Sequence, residues 1–428
     1  MKIYIPEDIP SGNKGEEAIL QGIYQGLKDQ GKEVSISIFS NTPEIDRVNY
    51  GKQFEIIDGI TFRPVADKPM FSRISEAVMI WFKHFSFLIM WYLLGKKCLY
   101  FFRGGNWKAY IDADVILVGH DGVFSDINLL FALFARGLKK KTAIFGCGIK
   151  KFSFKITERL ASPLISIIHL VVLREKHSYE YLKSLGIAKN KIFLKPDPAF
   201  FLKQSDQIKL EEMLSKEGLN DIKRPFIGAV AVKGSIIFDK CFEQVKNKNE
   251  KYNKHVELFA LIIENVIEIT SGQIIFIPHC IGPTVERDDR ISARDIKKKV
   301  KEKYKKHVSL IENEYNAMVL KAFIKNMDFL ISERTHALIG AASVGTPFLA
   351  ITVKEDLRTH DIIGDTVGME DLIIDINDPN LDEIISKFKE KWESRNDIRN
   401  SLLKRADFIN RECQNASSML INLLKSKD

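Results

Sequence analysis

Cysteine is scarce in this chain of 428 residues. The five that occur, Cys98, Cys147, Cys241, Cys280 and Cys413, are far apart and form no CxxC pair. That excludes a disulfide framework and a structural zinc site, and it fits a reducing compartment. Clustered Cys and His at metal-ligand spacing are missing, so no metalloenzyme site is read. No cofactor is expected, and the sequence leaves open whether a divalent metal assists. A Ser/His/Asp order and a pair of neighbouring carboxylates are missing too, which removes support for hydrolase and glycosidase chemistry. There is no internal repeat, low-complexity tract or heptad array. The net charge of +8 is mild for the length, and basic runs such as KKKVKEKYKK (297–306) lack interleaved aromatics. Such runs read as solvated helix faces, and no nucleic-acid partner is expected. The opening residues, MKIYIPEDIPSG, lack a basic segment followed by an apolar core. No secretory signal is read there, and the expected location is the cytoplasm, with peripheral membrane contact as an option.

What is present is an ordinary globular composition, 45% hydrophobic and 28% charged, long enough for two domains. A strand (2–5), a glycine turn (11–15), a helix (16–30) and a strand (34–39) open a βαβ unit. Short apolar runs follow at 113–119, 142–148, 169–174 and 191–197, then again at 226–232, 274–279, 308–312, 327–332, 347–352 and 372–376. Continuous apolar runs alternating with helices predict buried parallel strands. The expected fold is therefore α/β, two Rossmann-like doubly wound domains facing across a cleft, with C-terminal helices packing back. The boundaries read as 1–202 for the first domain, 203–224 for a linker, 225–380 for the second domain and 381–428 for the terminal helices.

Residues 77–94, AVMIWFKHFSFLIMWYLL, stand apart. The run is near the lower length for a bilayer span, with Lys83 and His84 in its middle. Arg73, Lys96, Lys97 and Arg103 flank it and suit a helix lying on anionic headgroups. A helix buried in its own domain is the other reading.

Ligands of open parallel sheets sit beyond the carboxyl ends of strands. Polar residues just after apolar runs are therefore the candidates. ISERTHALIGAASVGTP (331–347) is the richest: Ser332, Arg334 and His336 follow a strand, and a small-residue helix follows them. A helix start near Thr335 favours an anion, Arg334 offers a planar fork for phosphate or carboxylate, and His336 can exchange a proton. His279 ends another apolar run as a proton-donor candidate, ahead of Asp288 and Asp289, which read first as caps of the helix near Ile291 and otherwise as groups orienting that histidine. In the first half, Asn13 lies in SGNKGEEAIL (11–20), a turn whose glycines imply close backbone approach. His120 lies in VGHDGVFSD (118–126), Arg174 closes the run HLVVLR, and Asp197 in PDPAF reads as structural.

Taken in order, GNKGEEAIL, ADVILVGHDG, VLREKHSYEYLKSLG, PDPAF, the Pro-His before an acidic cluster, and SERTHALIGAASVGTP resemble the polysaccharide pyruvyl transferase family over residues 10 to 350. The resemblance implies a GT-B-like fold and transfer of the enolpyruvyl group of phosphoenolpyruvate to a sugar, giving a pyruvate ketal on an exopolysaccharide or cell-envelope precursor. Arg334 and His336 then fall on the family's phosphoenolpyruvate-binding pattern, Arg174 on its first-domain arginine and His279 on its proline-histidine position. The implied partners are phosphoenolpyruvate and a sugar or lipid-linked glycan acceptor. Two departures stand out. The family's glycine run reads Gly119-His120-Asp121-Gly122 here, and Glu16 stands where Asp is usual. A GT-B glycosyltransferase using a nucleotide sugar and a non-catalytic glycan-binding protein of the same fold remain alternatives.

Overall fold

The computed structural model describes residues 1–59, 70–120, 123–220, 223–234, 236–282 and 284–425. It divides into two compact units. The first comprises 1–11, 23–197 and 413–428, and the second 12–22 and 198–412.

The first unit is built on parallel strands β1 (Lys2–Asp8), β2 (Ser35–Phe39), β3 (Glu55–Ile57), β4 (Val115–Val118), β5 (Val123–Phe124), β6 (Lys141–Ile149), β7 (Leu170–Leu173) and β8 (Ile192–Leu194). Their order is β3-β2-β1-β4-β6-β7-β8, with β5 beside β6. β4 and β7 are buried at every position, which is why they read as unbroken apolar runs rather than as alternations. The core beneath them holds Ile116, Val118, Phe124, Phe131, Ile144 and Leu173.

The second unit repeats the plan. Strands β9 (Phe226–Val230), β10 (Gln273–Phe276), β11 (Val308–Leu310), β12 (Phe329–Ser332), β13 (Phe348–Thr352) and β14 (Ile373–Asp375) are ordered β11-β10-β9-β12-β13-β14. All pairings are parallel. In both sheets the order reverses beside the first strand, between β1 and β4 and between β9 and β12. A parallel sheet binds ligands at such a switch point. The architecture is thus two Rossmann-like doubly wound domains followed by terminal helices, Leu381–Glu393 and Arg395–Lys425.

The boundaries differ from those read in the sequence. The first sheet's unit ends at Asp197 rather than at 202, residues 12–22 fold with the second sheet, and 413–428 fold with the first. The stretch read as a linker folds in part as a helix. A helix, Gln207–Lys216, starts there with Asp206 as its cap, accepting from the Lys209 amide at 3.0 Å. Leu210 and Met213 on that helix are buried.

The apolar segment forms a helix, Met70–Leu94. One face packs inward: Ile80, His84 and Phe87 are buried, Phe87 stacks on Trp107 at 4.5 Å, and the His84 Nδ1–H donates to the Ile80 carbonyl at 2.8 Å. The opposite face is exposed, so the fully buried reading does not hold.

Candidate functional site

The second unit gathers most of the expected residues at its switch point. β12 ends at Ser332, and the Thr335–Val344 helix begins three residues later with Arg334 as its cap residue. The turn between them is closed by Ser332, whose Oγ accepts from the Arg334 amide at 3.0 Å and donates to the Arg334 carbonyl at 3.1 Å. Ser332 is fully buried. Its role is therefore to shape the turn rather than to meet a substrate. Thr335 is buried as well, its hydroxyl hydrogen-bonded to that of Thr359 at 2.8 Å. Only the backbone start of the helix, not the Thr335 side chain, keeps the expected role toward an anion.

Arg334 is held by a buried carboxylate. Its Nη2 lies 2.6 Å from Asp289 Oδ1 and its Nε 3.3 Å from Asp289 Oδ2, yet 28% of the side chain is exposed. Burial works against the guanidinium's charge, but Asp289 more than offsets it and raises the pKa. The same Asp289 Oδ2 accepts from the amides of His279 at 3.0 Å and Cys280 at 2.9 Å. One carboxylate thus aims the arginine and fixes the turn carrying His279. The tandem aspartates divide the labour: Asp288 caps the next helix, Asp289–Lys299, through the Arg290 amide, while Asp289 turns inward.

His279 is buried, and its pKa is pushed down to about 3, first by burial and then by the cations of Arg334 and its neighbours. An imidazole held neutral is a poor proton donor, which weighs against the acid role expected for His279. His336 lines a small cavity of about 20 Å³ together with His279, Lys14 and Lys321. The cavity has room for a water molecule.

The N-terminal turn joins this unit. A Cβ at Gly15 would stand 2.4 Å from His336 Nδ1, and one at Gly22 would stand 2.0 Å from the Pro198 carbonyl oxygen. These are the close approaches that the glycines of GNKGEEAIL imply. Asn13 caps the Lys14–Lys28 helix: its Oδ1 accepts from the Gly15 amide at 3.2 Å and its Nδ2 donates to Glu16 at 2.8 Å. Its amide is thus engaged by the helix's first turn, through one backbone and one side-chain bond. Sequence reasoning passed over Lys14. It is buried, its amide donates to the His279 carbonyl at 2.9 Å, and its ammonium pairs with Glu314 at 2.9 Å and Glu17 at 3.5 Å. The sequence signal was its position between the two glycines.

The remaining two candidates lie in the first unit. Arg174 is 1% exposed, with Nη1 2.9 Å from Asp197 and Nε 3.2 Å from Glu175. The charge of the guanidinium expected to bind substrate is balanced here by two buried carboxylates, Glu175 and Asp197. His120 is buried, and its pKa is pushed down to about 4, chiefly by burial and then by Arg174. Its turn is held by Glu7, a residue absent from the sequence candidates, whose carboxylate accepts from the amides of Gly119 at 2.6 Å and His120 at 2.8 Å. Asp121 and Gly122 of that turn lie outside the described residues.

Comparison with known proteins places this geometry. Amylovoran biosynthesis protein AmsJ of Erwinia amylovora is 24% identical over 410 residues, covering 90% of this chain and 91% of that protein. Among solved structures, the UDP-GlcNAc 2-epimerase from Neisseria meningitidis bound to UDP-GlcNAc aligns with a TM-score of 0.56 at 14% identity, covering 100% of this chain and 99% of the other. A glycosyltransferase from Rickettsia africae aligns with a TM-score of 0.58 at 10% identity, covering 100% and 99%. At such identities these two structures speak for the fold, which is GT-B-like. The model of the family described as polysaccharide pyruvyl transferase matches residues 13–355, from the Asn13 cap to just beyond β13. The chain belongs to the polysaccharide pyruvyl transferase family, and so among the transferases that modify polysaccharides.

Proposed function

We propose that this protein transfers the pyruvyl group of phosphoenolpyruvate to a sugar hydroxyl of a polysaccharide or glycolipid precursor, forming a pyruvate ketal. Family membership supports the reaction class. The observation that carries the site is the Asp289–Arg334 pair, which holds a partly exposed guanidinium at the start of the helix that also bears His336.

Phosphoenolpyruvate carries about three negative charges and needs fixed cations and N–H donors. Arg334 and the first turn of the Thr335–Val344 helix supply them. His336 donates a proton to the C3 methylene, and C2 becomes oxocarbenium-like. A sugar hydroxyl adds to C2, and its proton leaves as the C–O bond forms. That proton comes from an oxonium, so the weakly basic His279 suffices to take it. A neighbouring hydroxyl then adds to C2 as the C2–O bond to phosphate breaks, and its proton departs with the phosphate. The net change is phosphoenolpyruvate plus two hydroxyls to ketal plus phosphate.

The test is phosphate release from phosphoenolpyruvate with a glycan acceptor, alongside thermal stabilisation by phosphoenolpyruvate and by UDP-sugars. His336→Ala is expected to lower turnover by about 100- to 10,000-fold while keeping stabilisation by phosphoenolpyruvate. Arg334→Ala is expected to lose that stabilisation. Stabilisation by a UDP-sugar and none by phosphoenolpyruvate would overturn the reading in favour of a glycosyltransferase. A chain stabilised by neither would be a glycan-binding protein of the same fold.

A further inference from the structure

The Met70–Leu94 helix keeps one face for the domain and leaves the other to the outside. At about 100° per residue, Val78, Phe82, Phe85, Ile89, Tyr92 and Leu93 fall within about 60° of a single line along the helix. Each of the six is 44–72% exposed. Ile80, His84 and Phe87 lie on the opposite side and are buried. A continuous apolar stripe of this length on a folded surface marks an interaction site rather than scattered surface residues.

The charge around it says what the partner is. Between Ala77 and Ile111 the chain has no Asp or Glu and five cations: Lys83, Lys96, Lys97, Arg103 and Lys108. The last four are exposed. We infer that this face is a membrane-docking surface that lies flat on a bilayer of anionic lipids, the aromatic stripe among the acyl chains and the lysines at the headgroups. Residues Ser75–Tyr100 are long and apolar enough to cross a membrane. The inner face decides against crossing: a spanning helix would have to withdraw His84 and Phe87 from their packing on Trp107 and Phe134. A second copy of the chain fits less well, because a two-fold contact through this face would bring like cations together.

The inference stands on this helix alone and is independent of the donor chemistry. The experiment is co-sedimentation of the full chain with vesicles of phosphatidylcholine, with and without phosphatidylglycerol, at low salt. The wild-type protein is expected to pellet with the anionic vesicles. Phe82→Ser/Phe85→Ser/Ile89→Ser, with all three sites on the exposed face, is expected to keep its melting curve and lose about 100-fold in partitioning. Lys96→Ala/Lys97→Ala is expected to lose about 25-fold, roughly fivefold per lysine, on anionic vesicles only. The inference is overturned if the wild-type chain stays in the supernatant, or if both variants pellet as it does. It is equally overturned if the chain is a dimer that the triple variant makes monomeric while neither form binds vesicles.

Discussion

Replacing Asp289 with Asn tests the site at its least replaceable point. The amide oxygen can still accept from the His279 and Cys280 amides, now bonded at 3.0 and 2.9 Å. The NH2 group, however, would face the Arg334 guanidinium, donor against donor, with the countercharge gone. Removing one partner of a buried ion pair costs about 3–5 kcal/mol. Arg334 retains 28% exposure and can turn toward water, so the lower end applies, about 3 kcal/mol. For a domain of this size that lowers Tm by about 6–12 °C, at roughly 2–4 °C per kcal/mol. A guanidinium displaced by about an ångström also costs on the order of 100-fold in kcat/KM for phosphoenolpyruvate. Asp289 is a positioning residue, so the Tm loss and the kinetic loss are expected together. Thermal denaturation and steady-state kinetics read the two separately. A variant with unchanged Tm and unchanged kcat/KM would refute the claim that this carboxylate aims the arginine.

Two further outcomes follow from buried charge. His84 and His120 are held down at about 4 and His279 at about 3, burial being the leading cause in each. Their folded pKa values lie below the unfolded value of about 6.5, so the stability held by the neutral rings is complete above that pH and is lost as the pH falls toward the folded values. Three such groups give a slope of about 4 kcal/mol per pH unit between about pH 6 and 5, measurable by urea denaturation. A slope smaller than one histidine's share of about 1.4 kcal/mol per unit would contradict the assignment. Arg174→Ala leaves Asp197 and Glu175 buried without their cation, and about 3–5 kcal/mol of stability is expected to go. Any folded Arg174→Ala fraction is expected to keep its response to phosphoenolpyruvate, and a selective loss of that response would return Arg174 to the binding site.

The sheets were legible because a doubly covered parallel strand is apolar along its length: β4, β7 and β9 carry no polar side chain, and β12 carries one only at its last position, Ser332. β3 escaped because it is three residues long at a sheet edge and begins with a glutamate, Glu55. The Arg334–His336 turn was legible from strand end and helix start together. The directions of its neighbours were not. Whether Arg174 meets a ligand or Asp197 depends on the turn after the next strand, which carries Asp197 23 residues away. Lys14 reads locally as a solvated turn lysine, while its partner Glu314 is 300 residues distant. Asp288 and Asp289 are identical in composition and adjacent in sequence, and only the helix start between them sends one outward and the other in. Long-range pairing of charge leaves no local mark, whereas periodicity and turn chemistry do.

Residues 12–22 belong with the second sheet although a first-sheet strand, β1, immediately precedes them, and the last helix gives 413–428 back to the first sheet. Cutting the gene at residue 197 would therefore yield neither module whole. A chimera that grafts 198–412 from one relative onto another would seat His336 against a foreign Gly15 turn and a foreign Lys14. Recombination within this family has to carry the eleven-residue N-terminal segment along with the distant half it serves.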